Sequence, residues 1–414
     1  MRSTLSIIVA ATLLAGCIGG KGTGTNSTPA PPTPNTLAVT VDSGPAAATG
    51  QINHAYVTVH VCVPGSTTQC TDVDHVLLDT GSWGLRLVRS VLAAGAVTLS
   101  AETDAQGQAI QECFHLGGGD TWGPVALADV TLAGEVAAKL PVQLMDDSPG
   151  VTPPSTCGGN GLLLNDVSGF GANGLLGVGV FAEDCGDACV NASPPMEIYY
   201  GCTAAGVCTA ENVARSAQVA NPVAKFAADN NGFIVNMPSL QNANGDATVQ
   251  GELIFGIGTQ TDNALPATGL TVLGADPATG DFNATYNGGT TVLPALIDSG
   301  TDDYAFDDPS ILPCTDPPPF PGISYVGYYC PAVAPQTAFA VNTGVGVNNA
   351  TNTVQFAIAD PHTFVANAAA VINLAGGGGS IRFTYGMPFF YGRKVYIGIE
   401  QKVSGTYTGP FYAY

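Results

Sequence analysis

The sequence predicts an all-β fold, and three observations carry that prediction. Short alternating or apolar runs recur along the chain, each bounded by Gly, Pro, Asn or Asp. Turn formers are abundant, with 53 Gly and 29 Pro in 414 residues. Helical periodicity is scarce: only windows 86–96 and 221–230 read as helices, each about three turns long.

The elements follow in chain order. In "MRSTLSIIVAATLLAGC", Arg2 precedes an apolar run from Leu5 to Ala15. That run is too short to cross a bilayer and has the length of a secretory signal core, so residues 1–16 read as a signal peptide. Leu14-Ala15-Gly16-Cys17 resembles the cleavage and lipidation box of bacterial lipoproteins. The resemblance implies lipid on Cys17 and attachment to the cell envelope. Ile18 in the next position points to the outer membrane if the host has two. The alternative is a plain secretory signal with an incidental Cys. Residues 17–36 are rich in Gly, Thr and Pro and read as a flexible tether. Strand-like runs then fall at 54–63, 123–135, 251–258, 290–300, 353–360 and 393–400. "GGGGS", 376–380, reads as a flexible loop, because no Lys or helix start follows to make a phosphate cradle.

Composition excludes some classes of function. The chain has 11 basic and 32 acidic residues, a formal charge of -21. No basic face is available for phosphate, so nucleic acid is not an expected partner. With Cys17 assigned to lipid, the other cysteines are even in number, as expected in an oxidising compartment. Four close pairs suggest local disulfides: Cys62 with Cys70, Cys185 with Cys189, Cys202 with Cys208, and Cys314 with Cys330. Cys113 and Cys157 remain as the fifth pair. No pair has the two-residue gap usual in structural zinc sites, and the 5 His do not cluster with them. No metal or cofactor is expected. His54, His60, His75, His115 and His362 read as strand or loop residues.

The chemistry lies in a repeated motif. Leu77-Leu78-Asp79-Thr80-Gly81-Ser82 is matched by Leu296-Ile297-Asp298-Ser299-Gly300-Thr301, 219 residues further on. That spacing allows one lobe per copy. A third triplet, Asp42-Ser43-Gly44, is followed by Pro45 and lies too close to the first copy to belong to another lobe. It reads as a strand end and turn. Two carboxylates brought together cannot both ionise easily, so they share a proton. The ionised partner can then take a proton from water while the other polarises a carbonyl. On this reading Asp79 and Asp298 are catalytic. Gly81 and Gly300 permit the tight turns, Thr80 and Ser299 bond across the junction, and Ser82 and Thr301 bond the outer carboxylate oxygens. The competing reading is that each Asp only caps its own turn.

These paired motifs resemble the signatures of pepsin-like aspartic proteases. "NGLLGVG" (173–179) and "TYGMPFFYGRKVYIGIE" (384–400) resemble the segments that run beside the two catalytic loops. "CFHLGGGDTWGPVALADVTLAG" (113–134) falls where that family has its flap hairpin. The resemblance implies a bilobal double β-barrel with a few short helices, with lobes at 37–231 and 232–414. More closely, "DTGSWGLRL", "DCGDAC", "NPVAKFAADNNGFIV" and "GMPFFYGRKVY" together resemble a bacterial family of exported lipoproteins of unknown function. The chain also departs from the protease pattern. The flap Tyr is missing, and the hairpin offers His115, Leu116 and Trp122 instead. Arg86 stands where the resemblance places a Trp, and is read as half of a salt bridge. Asp302 and Asp303 replace small or apolar residues and are read as facing solvent.

Two functions compete, since a third reading, a structural envelope lipoprotein, gives no reason for two matched Asp turns. One is an aspartic endopeptidase that takes a peptide or protein substrate in the interlobe cleft. The other is a surface-interaction protein that keeps the fold without efficient turnover. Either is expected as a monomer that touches membrane only through its lipid. No pro-segment is evident.

Overall fold

The computed structural model describes residues 35–158, 162–315, 325–346, 348–378 and 381–414. The signal peptide, Cys17, most of the tether and the end of the Gly-rich loop lie outside the described residues.

The first half supplies β1 (Thr36–Val41), β2 (Ala55–Cys62), β3 (Cys70–Asp79), β4 (Trp83–Val88), β5 (Ala109–Leu116), β6 (Gly119–Leu132), β7 (Glu135–Met145), β8 (Gly174–Val178), β9 (Tyr199–Cys202) and β10 (Cys208–Ala210). The second half begins with β11 (Gly232–Asn236), β12 (Val249–Phe255), β13 (Val272–Gly274), β14 (Phe282–Tyr286), β15 (Leu293–Ile297), β16 (Tyr304–Ala305) and β17 (Gln336–Thr343). It ends with β18 (Thr351–Ile358), β19 (Ala375–Gly376), β20 (Phe383–Tyr385), β21 (Lys394–Gly398), β22 (Val403–Ser404), β23 (Tyr407–Thr408) and β24 (Phe411–Ala413). The fold is all-β, as the composition and periodicity predict.

Two sheets carry it. The larger runs β10-β9-β5-β6-β7-β4-β8-β3-β2-β1-β12-β11-β21-β24-β13, and an added β6–β2 pairing curls it into a barrel-like layer. The smaller runs β18-β17-β14-β15-β20-β16-β19. Residue choice explains the layers. On β18, Val354, Phe356 and Ile358 are buried and alternate with more exposed neighbours, as a one-sided strand requires. β8, "GLLGV", is buried at every position, as expected of a strand covered on both faces. One apolar cluster joins both halves through Leu78, Leu85, Ile297 and Phe383. Each such side chain contributes about 1.5–3 kcal/mol on full burial.

The halves repeat one local topology. β3 runs parallel to β8, the chain turns after Asp79, and β4 returns antiparallel to the same β8. β15 runs parallel to β20, the chain turns after Asp298, and β16 returns antiparallel to the same β20. Each Asp thus leaves its strand beside a strand threaded through its own turn.

The two windows read as helices are shorter than predicted, and two further one-turn helices form at Val167–Phe170 and Ala188–Asn191. The first window forms a helix only at Arg89–Ala94, because Arg86 to Val88 remain in β4. The second yields a single tight turn at Val223–Lys225. There Asn221 accepts from the Val223 amide, and Val223 and Phe226 both enter the core, three residues apart. A 3₁₀ turn puts such a pair on one face, and core burial overrides the helical pattern. The five expected cysteine pairs are the five disulfides formed: 62–70, 113–157, 185–189, 202–208 and 314–330. Gly376 belongs to β19 rather than to a loop.

Candidate active site

The turns after β3 and β15 meet. The Thr80 hydroxyl donates to the Ile297 carbonyl at 2.9 Å, and the Ser299 hydroxyl donates to the Leu78 carbonyl at 2.7 Å. In return each hydroxyl accepts a backbone amide of the other loop: Ser299 N–H at 3.0 Å to Thr80, and Thr80 N–H at 3.2 Å to Ser299. Four bonds therefore cross between segments far apart in sequence.

This interlock holds the carboxyls face to face. Asp79 and Asp298 lie within hydrogen-bonding reach of one another. Gly81 N–H donates to Asp79 Oδ1 at 2.7 Å, and Gly300 N–H donates to Asp298 Oδ1 at 2.8 Å. The Ser82 hydroxyl holds Asp79 Oδ2 at 2.5 Å, and the Thr301 hydroxyl holds Asp298 Oδ2 at 2.7 Å. The glycines are needed for space. A Cβ on Gly300 would stand 2.7 Å from Asp79 Cγ, and one on Gly81 would run into the Asp298 carboxyl. Asp79 is only 5% exposed, while Asp298 is half-buried. Burial, then the Asp298 charge, hold the Asp79 carboxyl well above the usual carboxylate range, with Ser82 and Gly81 pulling the other way. One proton shared between the two oxygens is the state this geometry favours.

The hairpin of β5 and β6 packs against Leu77 of β3, and its alternation sorts the flap candidates. Leu116 and Phe114 pack toward Tyr56, Leu77, Ala172 and Leu175. Leu77 lies two residues before Asp79 on β3, so it shares the face of that strand with Asp79. Trp122 pairs across the hairpin with Cys113 and is buried with the Cys113–Cys157 disulfide and Tyr200. His115 pairs with Asp120 at 2.7 Å, and its side chain is half exposed. Cys113 and His115 alternate with Phe114 and Leu116, so His115 and Trp122 lie on the hairpin's outer face. Of the three candidates, only Leu116 looks inward. Sequence reasoning missed Phe114 and Glu112, although period-two counting from Leu116 would have found both.

Two further expectations meet a definite outcome. Arg86 does form a salt bridge, fully buried, with Glu112 at 2.5 Å and Asp184 at 3.1 Å. Asp302 and Asp303 do not both face solvent. Asp303 is 6% exposed, and Asp302 accepts from the Tyr328 hydroxyl while its carbonyl accepts from Asn53 at 2.7 Å. Neither figures among the causes of the Asp79 shift. Burial, then the Asp302 charge, hold the Asp303 carboxyl well above the ordinary range. The missed signal is Tyr304-Ala305-Phe306, whose strand pairing draws the preceding pair inward.

No metal is called for by these contacts. Among the described residues, three groups bring His, Cys or Asp atoms together, around Cys62–Cys70, Cys314–Cys330 and Cys113–Cys157. In each, both sulfurs are spent in a disulfide.

Fold and site together define an all-β protein whose two halves each present an Asp turn at a common seam. By sequence, the chain belongs to the family described as "Protein of unknown function (DUF3443)", which it matches over residues 31–414. No curated protein matches it significantly in sequence. Among solved structures it is similar to the crystal structure of the aspartic proteinase from Irpex lacteus, at 14% identity and a TM-score of 0.48, over 91% of this chain and 96% of that one.

Proposed function

We propose that this protein is an aspartic endopeptidase that hydrolyses peptide bonds with a water activated between Asp79 and Asp298. The observation that carries the reading is the mirrored set of bonds that fixes two carboxyls against each other. Turn-capping accounts for one such loop at a time, but not for four bonds that lock the two together.

The steps follow from the environments. Burial favours the proton on Asp79, so Asp79 donates to the substrate carbonyl oxygen. The more open Asp298 takes a proton from water as the oxygen attacks the carbonyl carbon. A tetrahedral diol forms. A proton then passes to the departing amine, and the C–N bond breaks. An extended peptide would lie along the seam where the Asp79 and Asp298 turns meet. Cys17 would carry lipid and hold the enzyme on the bacterial envelope, where exported or unfolded protein is the substrate at hand.

A second reading rests on the hairpin. Its inner face carries Phe114 and Leu116 and no Tyr hydroxyl, so the fold could bind extended peptide without turning it over. Incubation of the folded protein with unfolded polypeptide from pH 3 to 7 separates the two. Cleavage blocked by a hydroxyl-bearing transition-state peptide supports the enzyme. Binding of that peptide without any cleavage supports the binder.

A further inference from the structure

We propose that Arg86 is a positioning residue that holds the β5–β6 hairpin over the dyad. It would do so by tying three segments to one guanidinium. The proposal deepens the endopeptidase reading, and only its kinetic arm rests on that reading.

The geometry has three spokes. Arg86 Nη1 donates to the Trp83 carbonyl at 2.8 Å, and Trp83 directly follows Ser82, which holds Asp79. Arg86 Nη2 donates to Glu112 on β5 at 2.5 Å and to Asp184, in the loop after β8, at 3.1 Å. The guanidinium also lies 3.4 Å from the centroid of the Phe114 ring. Glu112 and Phe114 are on the inner face of the hairpin with Leu116, four and two residues from it. One side chain thus connects the first carboxylate loop, the hairpin's inner face and the loop after β8. Behind it, the Tyr199 hydroxyl donates to Asp184 at 2.7 Å, and Gln143 donates to the Glu112 carbonyl at 2.9 Å. On the outer face, the Cys113–Cys157 disulfide pins the same strand.

Stability does not account for this network. A buried ion pair is often no more stabilising than apolar groups of the same volume. This one also leaves Arg86 Nε and Glu112 Oε2 buried without partners. What a guanidinium supplies and an apolar side chain lacks is a planar fork that fixes several partners at set angles. Lys can match the charge but neither the fork nor the stack.

The charge count adds a pH dependence. Two carboxyls face one guanidinium, with the Tyr199 hydroxyl and the neutral Gln143 as the other polar neighbours. Burial, then Glu112, hold the Asp184 carboxyl well above the usual range, so in acid it is uncharged. As pH rises it gains a second negative charge beside a single positive one, and the tie to the hairpin weakens.

Hydrogen exchange on the folded protein tests this without any need for catalysis. In Arg86→Met, amides 110–121 should exchange at least about tenfold faster, while those of β11 and β21 stay at the wild-type rate. If that variant does not fold, R86M/E112Q/D184N removes every charge of this network and should give the same local result. Arg86→Lys should restore protection only in part. Asp184→Asn should flatten the loosening of 110–121 that the wild type shows as pH rises. With a cleaved peptide, KM should rise at least tenfold in the Met variants while kcat changes less. Exchange that rises equally throughout the protein, or not at all at 110–121, overturns the proposal, as does an unmoved KM. A wild type that cleaves nothing removes the endopeptidase reading and leaves the exchange result to decide the role of Arg86.

Discussion

The turn at Asp79 and the turn at Asp298 make the same bonds in unlike surroundings. Each Asp accepts from the glycine amide two residues on and from the hydroxyl three residues on. Asp79 is then enclosed, with the hairpin and the Arg86 network at its side. Asp298 stays half open, and its loop continues into Asp302, which Tyr328 and Asn53 hold in place, and into the buried Asp303. Local sequence sets the hydrogen bonds, while the neighbourhood sets how deeply each carboxyl is buried. The third triplet completes the comparison. Gly44 N–H donates to Asp42 Oδ1 at 2.9 Å, the same turn again, but the side chain facing Asp42 is the His75 imidazole rather than a second Asp loop. A turn of this kind becomes a candidate site only when another meets it.

The largest effect that would break this comparison is on turnover. Asp79→Asn and Asp298→Asn should each lower cleavage by about 10²–10⁴-fold, measured as kcat/KM on one peptide. The two should differ in stability. The folded-state pKa of Asp79 is raised, so its contribution is full below the unfolded value and is lost as pH rises through the folded one. Asp79→Asn should therefore melt higher than wild type at pH 7 and nearly together with it at pH 3, read by calorimetry.

The next effect concerns the interlock. Ser299→Ala leaves the Leu78 carbonyl and the Thr80 amide without partners, and Thr80→Val does the same to Ile297 and Ser299. Each should cost about 1–3 kcal/mol in denaturant unfolding. A loss well under this range would mean that the loops do not depend on one another. Smaller again is Ser82→Ala. Its hydroxyl pulls the Asp79 carboxyl down, so its removal should move the basic limb of the pH–rate profile upward. Smallest is Asp42→Ala, which should cost about 1 kcal/mol or less and leave cleavage unchanged.

Much of this was legible in the sequence because it depends on short-range pattern. The strands, the five disulfides and the two Asp turns rest on alternation, spacing and repeat. The Thr80 and Ser299 roles follow from hydroxyls placed identically in both copies. What was not legible depends on partners distant in the chain. Asp302 and Asp303 read as a solvated pair until β16, pairing with β20, turns them inward. Trp122 read as a flap candidate until its register opposite Cys113 put it on the disulfide side. The 221–230 window read as a helix until Val223 and Phe226 were both drawn into the core.

The central claim is that two carboxyls from separate halves titrate as one pair. A ¹³C NMR titration of the Asp79 carboxyl, in wild type and in Asp298→Asn, tests it directly. The account predicts a midpoint well above the ordinary aspartate range in the wild type and a lower one in the variant, because the neighbouring charge has gone. The same midpoint in both proteins, or an ordinary one in the wild type, would contradict it.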